Sequence, residues 1–167
     1  PITSKLEKAG ATIEEFDDSL RVYRTGDLEP LNIKTMPHPG FPTDMQPLMT
    51  VLLTLAKGTS IITEGIWENR FRYVDELTRM GANIQVDGRV AVIEGVQELL
   101  PAPMRAADLR AGAALVVAAL AADGVSEVDE ICHIERGYED IVEKLRGLGA
   151  DIKRVEKPAG VLRQAAL

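Results

Sequence analysis

FPTDMQPLMTVLLTLAKGTSIITEGIWENR, residues 41–70, reads as a long apolar helix, a glycine turn at Gly58, a short strand, and a loop that closes on an arginine. AADLRAGAALVVAALAADGVSEVDEICHIER, residues 106–136, reads the same way. Superposing Gly58 on Gly124 sets Asp44 against Arg110, Glu64 against Glu130 and Arg70 against Arg136. Long segments that match at one spacing are the mark of an internal repeat, and a repeat constrains the whole fold.

A shorter motif recurs three times, as KLEKAGATIEEF (5–16), ELTRMGANIQVD (76–87) and KLRGLGADIKRV (144–155). Each is the end of an amphipathic helix, then Gly-Ala, then an alternating strand. Gly10, Gly81 and Gly149 stand where a helix C-terminus calls for a left-handed residue. Behind the first two, SLRVYR (19–24) and RVAVIEG (89–95) follow a short polar turn as second strands. The unit is therefore helix–strand–helix–strand–strand; Gly58 and Gly124 lie 66 positions apart, Gly10 and Gly81 lie 71 apart. One whole unit and parts of two others fit in the chain, a single partial domain over 1–167. Helices 43–56 and 109–122 are apolar almost all round and are expected to be buried on every side. The helices expected to open at Arg70 and Arg136 are amphipathic. The predicted fold class is α/β, with buried helices inside and sheets around them.

Composition narrows the function. The 167 residues suffice for one domain with a core, and the net charge of -7 argues against non-specific nucleic-acid binding. The longest apolar run, 111–122, is too short to span a bilayer, and no signal-peptide pattern opens the chain. Cys132 is the only cysteine, which rules out an internal disulfide and suits a reducing cytoplasm. His38 and His133 lack metal-ligand spacing, and neither a Walker A nor a Rossmann pattern occurs, so no metal and no cofactor are expected. The start at Pro1 reads as entry into a helix, so a fragment is expected; the closing Ala-Ala-Leu reads as native or added sequence.

Asp44 is the first candidate for chemistry. It follows a Pro/Gly-rich loop (Pro37, Pro39, Gly40, Pro42) and precedes an uncharged helix, with no cation nearby along the chain. One reading makes Thr43 or Asp44 the helix N-cap. The other makes Asp44 a rigidly placed proton acceptor. One side chain can serve both. Arg70, Arg110 and Arg136 stand at repeat-equivalent junctions, so a shared geometry would gather them at one end of the domain as an anion site. Taken singly, each arginine reads as a solvated surface charge. Cys132 reads as buried filler, and His38 and His133 as loop or packing residues.

PHPGFPTDMQ (37–46), TEGIWENRF (63–71), DLRAGAALVVAAL (108–120) and HIERGYEDIVEKLRGLGADI (133–152), in this order, resemble the UDP-N-acetylglucosamine 1-carboxyvinyltransferase family of enolpyruvyl transferases. The resemblance runs over nearly the whole chain. It implies an enolpyruvyl transferase-type inside-out α/β barrel domain built from βαβαββ units, here incomplete, and a C-terminal part whose N-terminal domain is missing. It implies Asp44 as general base for the sugar 3-hydroxyl, Ile66 as a backbone contact to UDP-N-acetylglucosamine, and Arg136 as a grip on phosphoenolpyruvate. Asp108, Arg110 and Arg70 would line the same cleft. Asp44 would then be unpaired because its partner is a substrate hydroxyl, and the helix N-terminus would keep it ionised. The proton donor to phosphoenolpyruvate C3 would lie in the missing domain, Cys132 having the wrong context, so the isolated chain is expected to be inactive and to expose apolar surface open to self-association. Two alternatives stay open: a 5-enolpyruvylshikimate-3-phosphate synthase-like transferase, and a non-catalytic anion-binding module of the same fold.

Overall fold

A computed structural model describes residues 1–156; the closing Ala-Ala-Leu lies outside the described residues. In chain order the elements are α1 (Ile2–Lys8), β1 (Ala11–Glu15), β2 (Leu20–Arg24), β3 (Asn32–Lys34), a 3-10 turn (Thr43–Met45) leading into α2 (Gln46–Leu53), β4 (Thr59–Thr63) and α3 (Val74–Arg79). They continue with β5 (Asn83–Asp87), β6 (Val90–Glu94), β7 (Pro103–Arg105), α4 (Leu109–Ala121), β8 (Glu127–Asp129), α5 (Cys132–Glu135) and α6 (Ile141–Gly147).

The middle unit is a complete βαβαββ, running from β3 to β6. Its sheet has the order β3-β4-β6-β5, with β3 parallel to β4 and the remaining pairs antiparallel. Two parallel neighbours need a crossover, and α2 supplies it. The third unit opens identically, with β7 parallel to β8 across α4. The first unit is represented by α1 and the β1–β2 hairpin, the counterparts of α3 and β5–β6. Gly10, Gly81 and Gly149 all take positive φ, as the helix–Gly-Ala–strand motif requires. No closed barrel forms among the described residues.

Helices α2 and α4 pack against each other at the centre of the main core. The small side chains Ala111, Ala114 and Ala118 of α4, all buried in that core, allow the close approach, while Gly112 lets Ile134 of α5 approach the other side of the helix. Leu53, Leu115, Ile62, Ile93, Leu77 and Met80 close the core from α2, α4, the sheet and the α3 end. Gln46 and Thr50 of α2 are also buried, and the Tyr73 hydroxyl lies between Gln46 Oε1 at 3.0 Å and Thr50 Oγ1 at 2.7 Å. Burial pushes the Tyr73 phenol up, so it stays a neutral donor.

Four sequence expectations change. The central helices are not buried on every side: Val117 and Leu120 of α4 are exposed, and Leu48, Leu52 and Leu55 form a half-buried stripe along α2 and the turn after it. A helix that is apolar all round buries only the faces that neighbours cover. Among the described residues the third Gly-Ala motif forms no strand: residues 151–156 have no ladder partner there, and an extended segment becomes a strand only with a partner. Arg70 and Arg136 do not open helices. Arg70 sits in the turn before α3, and Arg136 ends α5, with α6 starting only after Asp140. Finally, Cys132 is exposed at the start of α5 rather than buried.

Candidate active site at the Asp44 loop

Pro42 holds an extended conformation and Pro47 occupies the first turn of α2, so the chain enters the helix on a fixed path. No side chain caps that entry. The N-cap reading of Thr43 and Asp44 is therefore corrected: both side chains are engaged elsewhere. Thr43 Oγ1 donates to Glu64 at 3.0 Å, and Asp44 faces two guanidinium groups.

Asp44 is not unpaired. Arg110 Nη2 donates to its Oδ2 at 2.8 Å, and Arg70 Nη2 donates to its Oδ1 at 3.2 Å and to the Thr43 carbonyl at 3.3 Å. Asp44 and Arg110 occupy the same position in successive units, so their contact shows that α2 and α4 present equivalent ends to one point. The hydrogen bond from Arg110, together with both positive charges, holds the Asp44 carboxyl below the usual carboxylate range against an opposing effect of burial. Asp44 in turn raises Arg110. Arg70 is deeply set, its side chain 10% exposed, and its Nε is buried with no partner among the described residues.

Asp108 caps α4, its Oδ1 accepting from the backbone N–H of Arg110 at 2.8 Å and of Ala111 at 2.9 Å. It thereby fixes the backbone from which Arg110 reaches Asp44. Arg136 is exposed and makes no ion pair among the described residues. Of the three arginines expected to converge, two meet on Asp44, and Arg136 does not join them.

An open cavity of about 370 Å³ lies beside this group, lined by Met36, Pro37, His38, Gly40, Thr43, Asp44 and Ile66 among others. His38 is exposed on its rim, next to a cis bond to Pro39. Ile66 is half exposed. Its N–H donates to Glu64 Oε1 at 2.8 Å, so any backbone contact to a ligand would come from its carbonyl. Two carboxylate–hydroxyl contacts went unread in the sequence, Glu64 with Thr35 and Glu64 with Thr43, although Glu64 itself stood out as repeat-equivalent to Glu130. Away from the cavity, Glu130, Cys132 and His133 bring ligand atoms within 4.8 Å of one another, a proximity that histidine spacing alone missed. Glu130 there is already paired with Arg105 at 3.0 Å.

Repeated βαβαββ units that gather a carboxylate and two guanidiniums at the ends of their buried helices define an enolpyruvyl transferase-type domain. The solved enolpyruvyl transferase NikO from Streptomyces tendae is similar to it, with a TM-score of 0.84 and 34% identity over 92% of this chain and 36% of that one. An EPSP synthase from Acinetobacter baumannii shares the fold at a TM-score of 0.66 and 23% identity, over 89% of this chain and 36% of that one. The chain belongs to the EPSP synthase (3-phosphoshikimate 1-carboxyvinyltransferase) family, which it matches over residues 1–145. Among curated relatives it is 56% identical to UDP-N-acetylglucosamine 1-carboxyvinyltransferase 3 of Caldanaerobacter subterraneus subsp. tengcongensis, over 93% of this chain and 37% of that protein. It is 55% identical to the UDP-N-acetylglucosamine 1-carboxyvinyltransferase of Desulfofundulus thermocisternus, over 92% of this chain and 63% of that protein. The chain thus spans 37% of the first of these relatives and 63% of the second.

Proposed function

We propose that this chain is the C-terminal part of an enzyme that transfers enolpyruvyl from phosphoenolpyruvate to the 3-hydroxyl of UDP-N-acetylglucosamine, the first committed step of peptidoglycan synthesis, in the cytoplasm. The observation that carries the reading is Asp44 held between Arg70 and Arg110 beside an open cavity. The relatives' names favour a nucleotide-sugar acceptor over the shikimate acceptor of the wider family, since identity exceeds 50% to the former and is 23% to a synthase of the latter kind.

In this reading the sugar 3-hydroxyl gives its proton to Asp44 as its oxygen bonds to C2 of phosphoenolpyruvate, and C3 takes a proton from a donor outside this chain. Elimination then breaks the C2–O bond to phosphate, and C3 loses a proton to restore the double bond. Asp44 as it stands is a weakened base, because both of its oxygens accept from guanidiniums. An arriving phosphoenolpyruvate anion offers Arg110, the more exposed partner, an alternative carboxylate or phosphate. Transfer of Arg110 to that anion would return basicity to Asp44 at the moment it is needed. Arg136, free of ion pairs among the described residues, supplies a further cation when the missing domain closes, and Asp108 keeps Arg110 in reach. Cys132 takes no part, and the isolated chain is inactive.

The test is phosphate release from phosphoenolpyruvate that depends on UDP-N-acetylglucosamine. The full-length parent should show it, this chain alone should not, and Asp44→Ala in the parent should abolish turnover in a protein that still folds. Turnover by the chain alone, or an active Asp44→Ala parent, would overturn the reading.

A further inference from the structure

We propose that Glu64 is the positioning residue of this site: it locks the loop that carries Asp44 to the loop that carries Ile66, and so fixes the spacing at which both meet a sugar-nucleotide substrate. The functional half of this inference rests on the transferase reading above; the locking half does not.

Glu64 is 1% exposed at the end of β4. Its Oε1 accepts from Thr35 Oγ1 at 2.6 Å, from Ile66 N–H at 2.8 Å and from Trp67 N–H at 3.0 Å, and its Oε2 accepts from Thr43 Oγ1 at 3.0 Å. The Thr35 hydroxyl has a direction: it accepts from Gly65 N–H at 2.8 Å, which leaves its own proton for Glu64. Gly65 also approaches the Thr35 carbonyl so closely that a Cβ would stand 2.5 Å from it. A buried carboxylate costs several kcal/mol unless donors surround it, and here four do. Through Thr43 the network continues to Arg70, which bonds both the Thr43 carbonyl and Asp44. One buried side chain therefore ties together Ile66, Trp67, Thr43 and, at one remove, Asp44.

The molecule contains its own control. Thr35 N–H bonds to the Thr63 carbonyl, and Ala106 N–H bonds to the Asp129 carbonyl in the same way, so Ala106 is the third unit's Thr35. At the place of Thr43 the third unit has Leu109. Both hydroxyl donors are gone, and the equivalent carboxylate, Glu130, is exposed, pairs with Arg105 and sits at φ +59°. The parallel strand pair joined by a crossover helix forms in both units, so that pairing does not need a buried carboxylate, and the turn after the strand takes a different path where the carboxylate is exposed. The buried form is present in the unit whose loop bears Asp44.

Glu64→Gln decides the matter, because glutamine keeps the shape but must turn an N–H₂ toward one set of donors. Trp67 is the chain's only tryptophan, so its emission and anisotropy report this loop directly. In this chain we expect Glu64→Gln to melt cooperatively, Trp67 anisotropy to fall, and amide exchange at Ile66 and Trp67 to quicken by about tenfold or more, the effect of one lost hydrogen bond to a charged group. Amides of α2 and β4 should keep their protection. Thr35→Ala with Thr43→Val, which removes both hydroxyl donors that the third unit also lacks, should reproduce the change if Glu64→Gln fails to fold. In the full-length parent, KM for UDP-N-acetylglucosamine should rise about tenfold while KM for phosphoenolpyruvate moves far less. Unchanged exchange at Ile66 and Trp67 overturns the lock. A lower melting temperature with both KM values unmoved overturns the positioning role and leaves a structural one. A wild-type parent without nucleotide-sugar-dependent phosphate release sinks the transferase reading instead, and the exchange result still decides the lock.

Discussion

Asp44 draws its character from two neighbours that are far away in sequence, one of them its own counterpart in the next unit. Arg70 is nearly buried and would be left without a counter-charge if Asp44 were neutral, whereas Arg110 is one-third exposed and can turn to solvent. Replacing Asp44 by Asn should therefore destabilise the chain at neutral pH by about 1 kcal/mol, at the upper end for a partly exposed pair. The sign with pH follows from the lowered carboxyl. A group whose folded pKa is depressed stabilises above its unfolded value, near 4, and loses that contribution as pH falls through the folded value. The stability gap between wild type and Asp44→Asn should accordingly be level from neutrality to about pH 5 and close below about pH 4, measured by urea denaturation across the range. A gap that persists in acid would mean that the side chain acts through packing and not through charge.

At the scale of the element, α2 and α4 are the same helix in two units, yet they begin differently. Asp108 caps α4 through two backbone N–H groups, while α2 starts from a 3-10 turn with no side-chain cap. Asp108→Ala should cost about 1 kcal/mol, read as a shift in the denaturation midpoint, and Asp108→Ser or Asn should recover most of it. Asp44→Ala should show no comparable cap loss, and Asn at that position should do no better as a cap. These two starts explain what the sequence made legible and what it did not. The first two helix–Gly-Ala–strand motifs, the apolar central helices and the repeat spacing were readable because periodicity and left-handed glycines are local properties. The N-cap reading of Thr43 and Asp44 failed, and the Asp108 cap went unread, because Asp before an apolar run has one local signature whether it bonds its own helix or a distant arginine. Glu64 and Glu130 aligned in sequence, but their opposite environments depend on Thr35 and Thr43 against Ala106 and Leu109, contacts that cross between strands. Arg136 aligned with Arg70 and yet stays apart from Asp44, since the loop before it forms α5 where the middle unit has an irregular turn.

Across the described residues, the first unit leaves a strand edge open. Its strand β2 bonds only to β1, and all five of its residues are exposed, whereas its counterpart β6 lies between β5 and β4. Phe16, Leu20 and Val22 display apolar surface on this hairpin, and Val117 and Leu120 display more on α4. An unpaired strand edge with apolar side chains is a template for another strand. By the repeat, this edge would fit an antiparallel strand equivalent to β4. Without it, the chain should self-associate in a concentration-dependent way, seen as a sedimentation coefficient that rises over tens of micromolar. Val22→Lys should hold it monomeric, because a charge on an edge strand opposes pairing without touching the main core, to which β2 contributes no buried residue. The same substitution in the full-length parent should instead destabilise it, since there the edge would be covered. If Val22→Lys leaves association unchanged, the contact must run through the α4 face, and Leu120→Lys becomes the variant that separates the copies.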